Sequence, residues 1–283
     1  MFSATIPKKI LSLASKYQKN AVRIEATSLG KAHTDISYET YLVKKHDIEN
    51  AIFNFLRFHD GKTIIIFCST RNAVTHISSR ILNRGFSVVS LSGALNQSER
   101  FKALQSIKNG RCKICVATDV AARGIDLVNL DIVIHAELPH NPETLIHRSG
   151  RTGRAGNKGR SILFCWPSEK RKYEKLINSA KVRPVINKFL SQEEIEHKDN
   201  EKIINYLSRN KKNSSSELKF ANELLTRFSN EDLALALIEN FKGKLPPIEE
   251  VECLGEEQIV QMKNDRKKKK KSKQNFRRNF RKK

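Results

Sequence analysis

The 283-residue sequence contains no G-x-x-x-x-G-K-[ST] stretch, so the chain brings no phosphate-gripping loop of its own. No apolar run approaches the ~18 residues of a membrane-spanning helix, so a membrane partner is not expected. Cysteine is sparse: five residues, odd in number and irregular in spacing, which argues against a disulfide framework. Cys112 and Cys115 form a C-x-x-C, with no second pair to complete a zinc site. They lie in the apolar run "CKICVATD" and read as reduced thiols of a buried strand. Acid is in deficit too. Asp and Glu number 30 against 53 Lys and Arg, a formal net charge of +23. From Arg266 to Lys283 ("RKKKKKSKQNFRRNFRKK") twelve basic residues stand without one acid.

A segment of that composition cannot build a core and is expected to be disordered. A polycation points to a polyanion, nucleic acid first, against the blander reading of a solubilising tail. Phe276 and Phe280 interleave with the arginines and can stack on unpaired bases, which tilts the expectation toward single strands. At the other end, "MFSATIPKKILSLASKYQKN" is basic, serine-bearing and acid-free, in the manner of an organelle transit peptide.

What is present between these ends is an alternation of two periods. Short β-branched runs recur at 63–67 ("TIIIF"), 87–91 ("SVVSL"), 114–117 ("ICVA"), 131–135 ("DIVIH") and 161–164 ("SILF"). Continuous runs of this length suit strands buried on both faces of a parallel sheet. Between them lie helical spacings: Ile48, Ile52, Phe55 and Leu56; Val74, Ile77 and Ile81; Phe101, Leu104 and Ile107. Asn96 or Ser98 can cap the third helix, and Asn109–Gly110 closes it. The pattern is that of an α/β fold with right-handed crossovers, whose ligands sit outside the carboxyl ends of the strands. After Val182 the strand pattern ends. Lys198 to Ser216 is polar and serine-rich, expected to be mobile in part. Two amphipathic helices joined near Asn230 follow, with Phe220, Leu224 and Phe228 on one and Leu233, Leu237 and Phe241 on the other. Two helices bury too little alone, so they are expected to pack on the main domain or on a second copy. "LPP" at 245–247 stops them.

Two loops carry chemistry. In "VATDVAARGID" (116–126) an acid at a strand's carboxyl end can accept hydrogen bonds from ribose hydroxyls, and a glycine permits close backbone approach, although both residue types also make ordinary turns. In "HRSGRTGRAG" (147–156) Arg148, Arg151 and Arg154 recur every third position, on a helix expected to fray into a loop at Gly150 and Gly153. Such arginines can fork onto carboxylates or onto phosphate oxygens.

"SAT" at 3–5, "IIFCSTR" at 65–71, "SGALNQSER" at 92–100, "VATDVAARGID" at 116–126 and "HRSGRTGRAG" at 147–156 stand in the order of the later motifs of DEAD-box RNA helicases. The stretch from Met1 to about Asn178 resembles that family. The two-helix segment and basic tail are more loosely similar to the carboxyl extensions of its bacterial cold-shock members. The resemblance implies a RecA-like parallel sheet with helices on both faces, followed by a small α-helical module and a disordered basic tail. It divides the chain into a remnant of a first RecA-like lobe (1–28), a helicase carboxyl-terminal domain (29–182), a helical extension (183–250) and an RNA-binding tail (251–283). On this view the transit-peptide likeness is coincidental, and a strand near Val22–Ile24 has lost its sheet neighbours.

Roles follow from the resemblance residue by residue. Arg151 and Arg154 are similar to the arginine fingers that reach the ATP γ-phosphate across the lobe interface. Gly124 and Asp126 match the nucleotide contact, and Ser3, Thr5 and His147 the coupling between lobes. Thr70, Arg71, Gly93, Arg100 and Thr118 match contacts to the RNA sugar-phosphate backbone. Ser92 stands where the family often has histidine, and Ser149 where an apolar residue is common. ATP and Mg²⁺ would be held mainly by a first lobe supplied in trans, because no D-E-A-D segment or phosphate loop occurs in this sequence. The expectation is therefore the carboxyl-terminal half of an ATP-dependent, cytoplasmic RNA helicase, inactive alone, with a homodimer contact through 217–242. The rival is a non-catalytic RNA-binding or annealing protein.

Overall fold

The computed structural model describes residues 16–17, 35–122, 130–153, 156–209 and 215–252. The expected first-lobe remnant, apart from Lys16 and Tyr17, and the basic tail lie outside the described residues. Seven strands form one sheet in the order β3-β4-β2-β5-β6-β1-β7, with every pairing parallel. They are β1 Ile36–Leu42, β2 Ile64–Cys68, β3 Val88–Leu91, β4 Ile114–Thr118, β5 Ile132–His135, β6 Gly159–Cys165 and β7 Val185–Asn187.

Strand side chains divide between two faces. Ile64, Ile66 and Cys68 join a core covered by helix α1 (Ile48–Phe58) and helix α2 (Arg71–Asn83). Ile65 and Phe67 turn to the opposite face, with Ile107 of helix α3 (Gln97–Lys108) and the alanines of the single turn α4 (Asp119–Ala122). Helix α5 (Pro142–Ser149) and helix α6 (Lys170–Ser179) cover the rest of that face through Leu145, Tyr173, Leu176 and Ile177. Period-2 alternation within fully buried strands is what places helices on both sides. The cysteines follow the same logic: Cys68, Cys112, Cys115 and Cys165 are buried thiols, and burial pushes Cys68 and Cys165 up to about 12.

The helix ends are written locally. Asn96, not Ser98, caps α3: its side chain accepts from the Glu99 amide while Glu99 reaches back, and Gly110 takes the left-handed conformation after the helix (φ 67°). Of the expected apolar face of α3 only Ile107 is buried, and Phe101 is 67% exposed.

Past Val182 the structure departs from the sequence reading. Strand β7 joins β1 at Glu39, Thr40 and Tyr41, and Phe189 enters the core. Of the stretch 198–216, read as mobile in part, 210–214 lie outside the described residues, and residues 198–209 form the second half of helix α7 (Gln192–Arg209). Its Asp199 is buried and bonds Arg57 of α1 through Nε and Nη2, each at 2.8 Å, and Lys202 donates to the Arg57 carbonyl. A polar sequence hides this anchor because the pairing residue is 142 positions away. Helices α8 (Ser215–Arg227) and α9 (Asn230–Lys242) follow, with Ser229 and Asp232 forming a capping box between them. Phe241 packs edge-on against Tyr206 of α7, with ring centroids 4.9 Å apart.

Candidate site at the carboxyl ends of the strands

Because every pairing is parallel, the loops after β2, β3 and β4 emerge at one end of the sheet over three adjacent strands. After β2, the Thr70 hydroxyl caps α2 by accepting from the Ala73 amide at 3.1 Å. That cap fixes Arg71 as the first helical residue, exposed at the rim. After β3, a Cβ on Gly93 would lie 3.1 Å from Arg71 Nη2, so the glycine lets the guanidinium lie against the backbone of the neighbouring loop. Arg100 of α3 donates from Nη2 to the Ala121 carbonyl at 2.8 Å, tying α3 to α4. Thr118 ends β4; its hydroxyl is buried and receives the Ala121 amide at 3.4 Å. The structure thus brings Thr70, Arg71, Gly93, Arg100 and Thr118 to one end of the sheet, four near the surface and Thr118 beneath it.

The arginine-rich stretch begins as helix and ends as loop. Asn141 caps α5 by accepting from the Thr144 amide at 2.7 Å, and Pro142 opens the first turn. The helix stops at Gly150, and Thr152 then bridges to Leu130. Gly153 adopts φ 67°, and a Cβ there would fall 2.7 Å from Ile36 Cγ1, so both conformation and space demand glycine. The expected fraying is observed.

The three arginines do not share one fate. Arg148 is 2% exposed and forks onto Asp119, Nε to Oδ1 at 2.6 Å and Nη2 to Oδ2 at 2.7 Å, over the Phe67 ring. Of the two partners open to these arginines, Arg148 takes the carboxylate. It braces α5 to the end of β4. Arg151 and His147 line a small cleft of about 70 Å³ with Phe67, Asp119, Ala122, Thr144 and Arg148. Arg154, Gly124, Asp126, Ser3 and Thr5 lie outside the described residues.

Beneath α5 runs a polar chain that sequence reasoning passed over. Ser149 Oγ donates to the Leu145 carbonyl at 2.7 Å and meets Ser161 Oγ at 2.8 Å, and Ser161 lies 3.1 Å from His135 Nε2. Burial, helped by the nearby Arg148 charge, holds His135 well below its ordinary value, so the imidazole is neutral. The available signal was Ser149 at a commonly apolar position together with a histidine ending an apolar strand.

Residues 44–156 match the family model described as the helicase conserved C-terminal domain. The chain is 36% identical over 171 residues to the ATP-dependent RNA helicase DbpA of Bacillus subtilis (strain 168), an alignment covering 60% of this chain and 36% of that protein. It therefore spans about a third of that relative's length. Its fold is similar to a DEAD box protein from the hyperthermophile Methanococcus jannaschii, with TM-score 0.52 and 34% identity, covering 66% of this chain and 50% of the other. It is also similar to S. cerevisiae Dbp5 bound to RNA and ADP BeF3, with TM-score 0.60, 26% identity and coverage of 66% and 50%.

Proposed function

From the premise that this chain carries the carboxyl-terminal RecA-like domain of the DEAD-box helicase family, we propose that it works as half of an ATP-dependent RNA helicase. In this reading Arg151 and Arg154 approach the γ-phosphate of ATP held by a first RecA-like lobe, His147 and the Ser3–Thr5 segment couple the lobes, and Gly124 and Asp126 meet the ribose. Thr70, Arg71, Gly93, Arg100 and Thr118 follow the RNA backbone, where contacts position a strand without reading its sequence. The residues 1–28, 29–182, 183–250 and 251–283 are taken as first-lobe remnant, motor lobe, helical extension and RNA-binding tail.

The observation that carries the reading is the convergence of Arg71, Gly93, Arg100 and the Arg151 cleft at one end of the sheet. The donors of His147 and Arg151 around the cleft suit phosphate oxygens. In this reading ATP and Mg²⁺ are held mainly by the first lobe, where the ion neutralises the triphosphate. No helix among the described residues is long and apolar enough to cross a membrane. A cytoplasmic location and a homodimer through 217–242 belong to the same proposal.

The test is RNA-stimulated ATP hydrolysis by the purified chain, alone and with a DEAD-box first lobe added in trans. We expect silence alone, activity with the added lobe, and a loss of about 10³-fold in Arg151→Ala or Arg154→Ala. Silence in both conditions beside tight, salt-sensitive RNA binding would establish the non-catalytic RNA-binding protein instead.

A further inference from the structure

The amino end of the sheet, opposite the loops that carry Thr70, Arg71 and Gly93, holds a second concavity. Parallel pairing sets the turns before β2, β3 and β4 side by side there, and each contains a glycine: "DGK" at 60–62, "RGFS" at 84–87 and "NGRCK" at 109–113. Helix α1 ends on the same side. Its Arg57 bonds Asp199 of α7 and donates to the Pro246 carbonyl, so α7 and the chain leaving α9 close the remaining wall. The cavity between them has a volume of about 330 Å³.

Its charges are nearly all of one sign. Arg57, Arg111, Lys113, Lys202 and Lys244 line it, against the single carboxylate of Asp60. Two of these five cations are already engaged. Arg57 is paired with Asp199, and Lys202 donates to Asp199 Oδ1 and to the Arg57 carbonyl, each at 3.1 Å, with Asp60 3.8 Å away. The other three have no acid. Lys113 Nζ donates to the Gly61 carbonyl at 3.1 Å, and the side chains of Arg111 and Lys244 form no ion pair or hydrogen bond among the described residues. They arrive from different directions: Arg111 and Lys113 from the turn before β4, and Lys244 from the chain after α9, with Lys202 of α7 between. Cations gathered around a concave site repel one another and focus a field that an anion satisfies.

Size and wall narrow the anion. Phe86, Leu245 and Pro246 give the cavity an apolar side. An apolar wall with a few convergent polar groups is the form of a small-ligand site, and 330 Å³ falls at the lower end of the usual range of about 300–1,000 Å³. One phosphate monoester carries a charge of about −2 at most, so three spare cations call for a second phosphate. We propose that this cavity binds a diphosphate group, free or carried by a nucleoside. Arg111 offers a planar fork to one phosphate, and the lysines offer point charges to the other. Arg71, Gly93 and Arg151 take no part, so the site stands apart from the reading of the opposite end.

The test follows backbone amide resonances of the full chain as inorganic pyrophosphate, ADP or inorganic phosphate is added. With pyrophosphate the amides of Gly85, Phe86, Gly110 and Arg111 should move along one saturating curve. Inorganic phosphate should bind at the same amides about tenfold more weakly, the loss of one charge-assisted contact. Tighter binding of ADP than of pyrophosphate assigns the group to a nucleotide resting on the apolar wall; otherwise the free anion is the ligand. Arg111→Ala with Lys244→Ala should weaken pyrophosphate binding by at least about tenfold. Arg171→Ala with Lys175→Ala removes the same charge from α6 and should change it by less than about twofold. All four residues are exposed, and an unchanged melting temperature checks that each variant is folded. Equal weakening by the two variants would trace the binding to the overall positive charge and overturn the site. Shifts confined to amides elsewhere, or equal affinity for phosphate and pyrophosphate, would overturn it too.

Discussion

Arg148 and Arg151 stand three residues apart in one motif and do different work, and the difference is physical. Arg148 is buried, bidentate on Asp119 and stacked over Phe67, so its charge is already committed inside the lobe. Removing one partner of such a pair leaves the other charge poorly compensated. Asp119 keeps 32% of its side chain exposed, and Arg148 Nη1 has no partner among the described residues, so the loss sits below that of a fully buried pair. Arg148→Ala should therefore cost about 2 kcal/mol of stability in urea unfolding. Arg151→Ala should cost less stability than Arg148→Ala in the same unfolding measurement, since Arg151 is half-buried where Arg148 is buried. In the proposed reading it should also remove the ATP hydrolysis restored by an added first lobe. Equal destabilisation by the two would mean that Arg151 is also a structural brace. The sequence made these arginines visible as a set but could not separate them. The carboxylate that claims Arg148 is 29 residues away and reaches it only once β4 and α5 are packed.

At the scale of elements, α1 is tied to the sheet by a cluster whose charges set an acid limit on stability. Arg160 of β6 forks onto Glu39 of β1, both bonds at 2.8 Å, and its Nη1 lies 3.2 Å from His59 at the end of α1. A guanidinium only donates, so His59 Nε2 accepts and carries no proton. Burial first, and then the Arg160 charge, hold His59 down at about 4. The folded protein thus binds fewer protons at this site than the unfolded chain, whose histidine titrates near 6.5. Stability is full above about pH 6.5 and falls as pH drops toward 4. Burial pulls the Glu39 carboxyl up, but the Arg160 fork more than offsets it, so its contribution fades only at still lower pH. Between pH 7 and pH 5 the His59 term should remove about 1 to 2 kcal/mol, allowing for partial exposure, and His59→Gln should flatten that slope in urea unfolding. An unchanged slope would place the acid sensitivity elsewhere, with the buried His135 as its source. The elements were unequally legible. Continuous apolar runs announced β2, β4 and β5 because both faces of those strands are covered. Strand β1, "ISYETYL", carries a glutamate that only Arg160 neutralises, and β7 is three residues long, so neither shows the run that marks the others.

The whole molecule holds a second demand besides its net charge of +23: apolar surface that the described residues leave exposed. On α8 and α9, Phe220 is 61% exposed, Leu225 52% and Leu235 58%; Phe228, between the two helices, is 51% exposed, and Ile204 of α7 adds 63%. Leu224, Leu233, Leu237 and Phe241 are half-covered, Phe241 by Tyr206, so the amphipathic stripe read from the sequence is buried only along one edge. The pattern showed which residues are apolar; it could not show that the lobe would take only part of them, because α7 and residues 246–252 already occupy α1. Burying these exposed side chains against the same face of a second copy would return roughly 25 cal/mol for each Å² of apolar surface removed from water. The expected result in light scattering is a dimer that Leu225→Asp with Leu235→Asp converts to monomers, with the melting temperature of the lobe unchanged. A wild-type chain that is monomeric at every concentration tested excludes the contact, and the uncovered face would then have to meet a different protein, such as the first lobe that the proposed reaction requires.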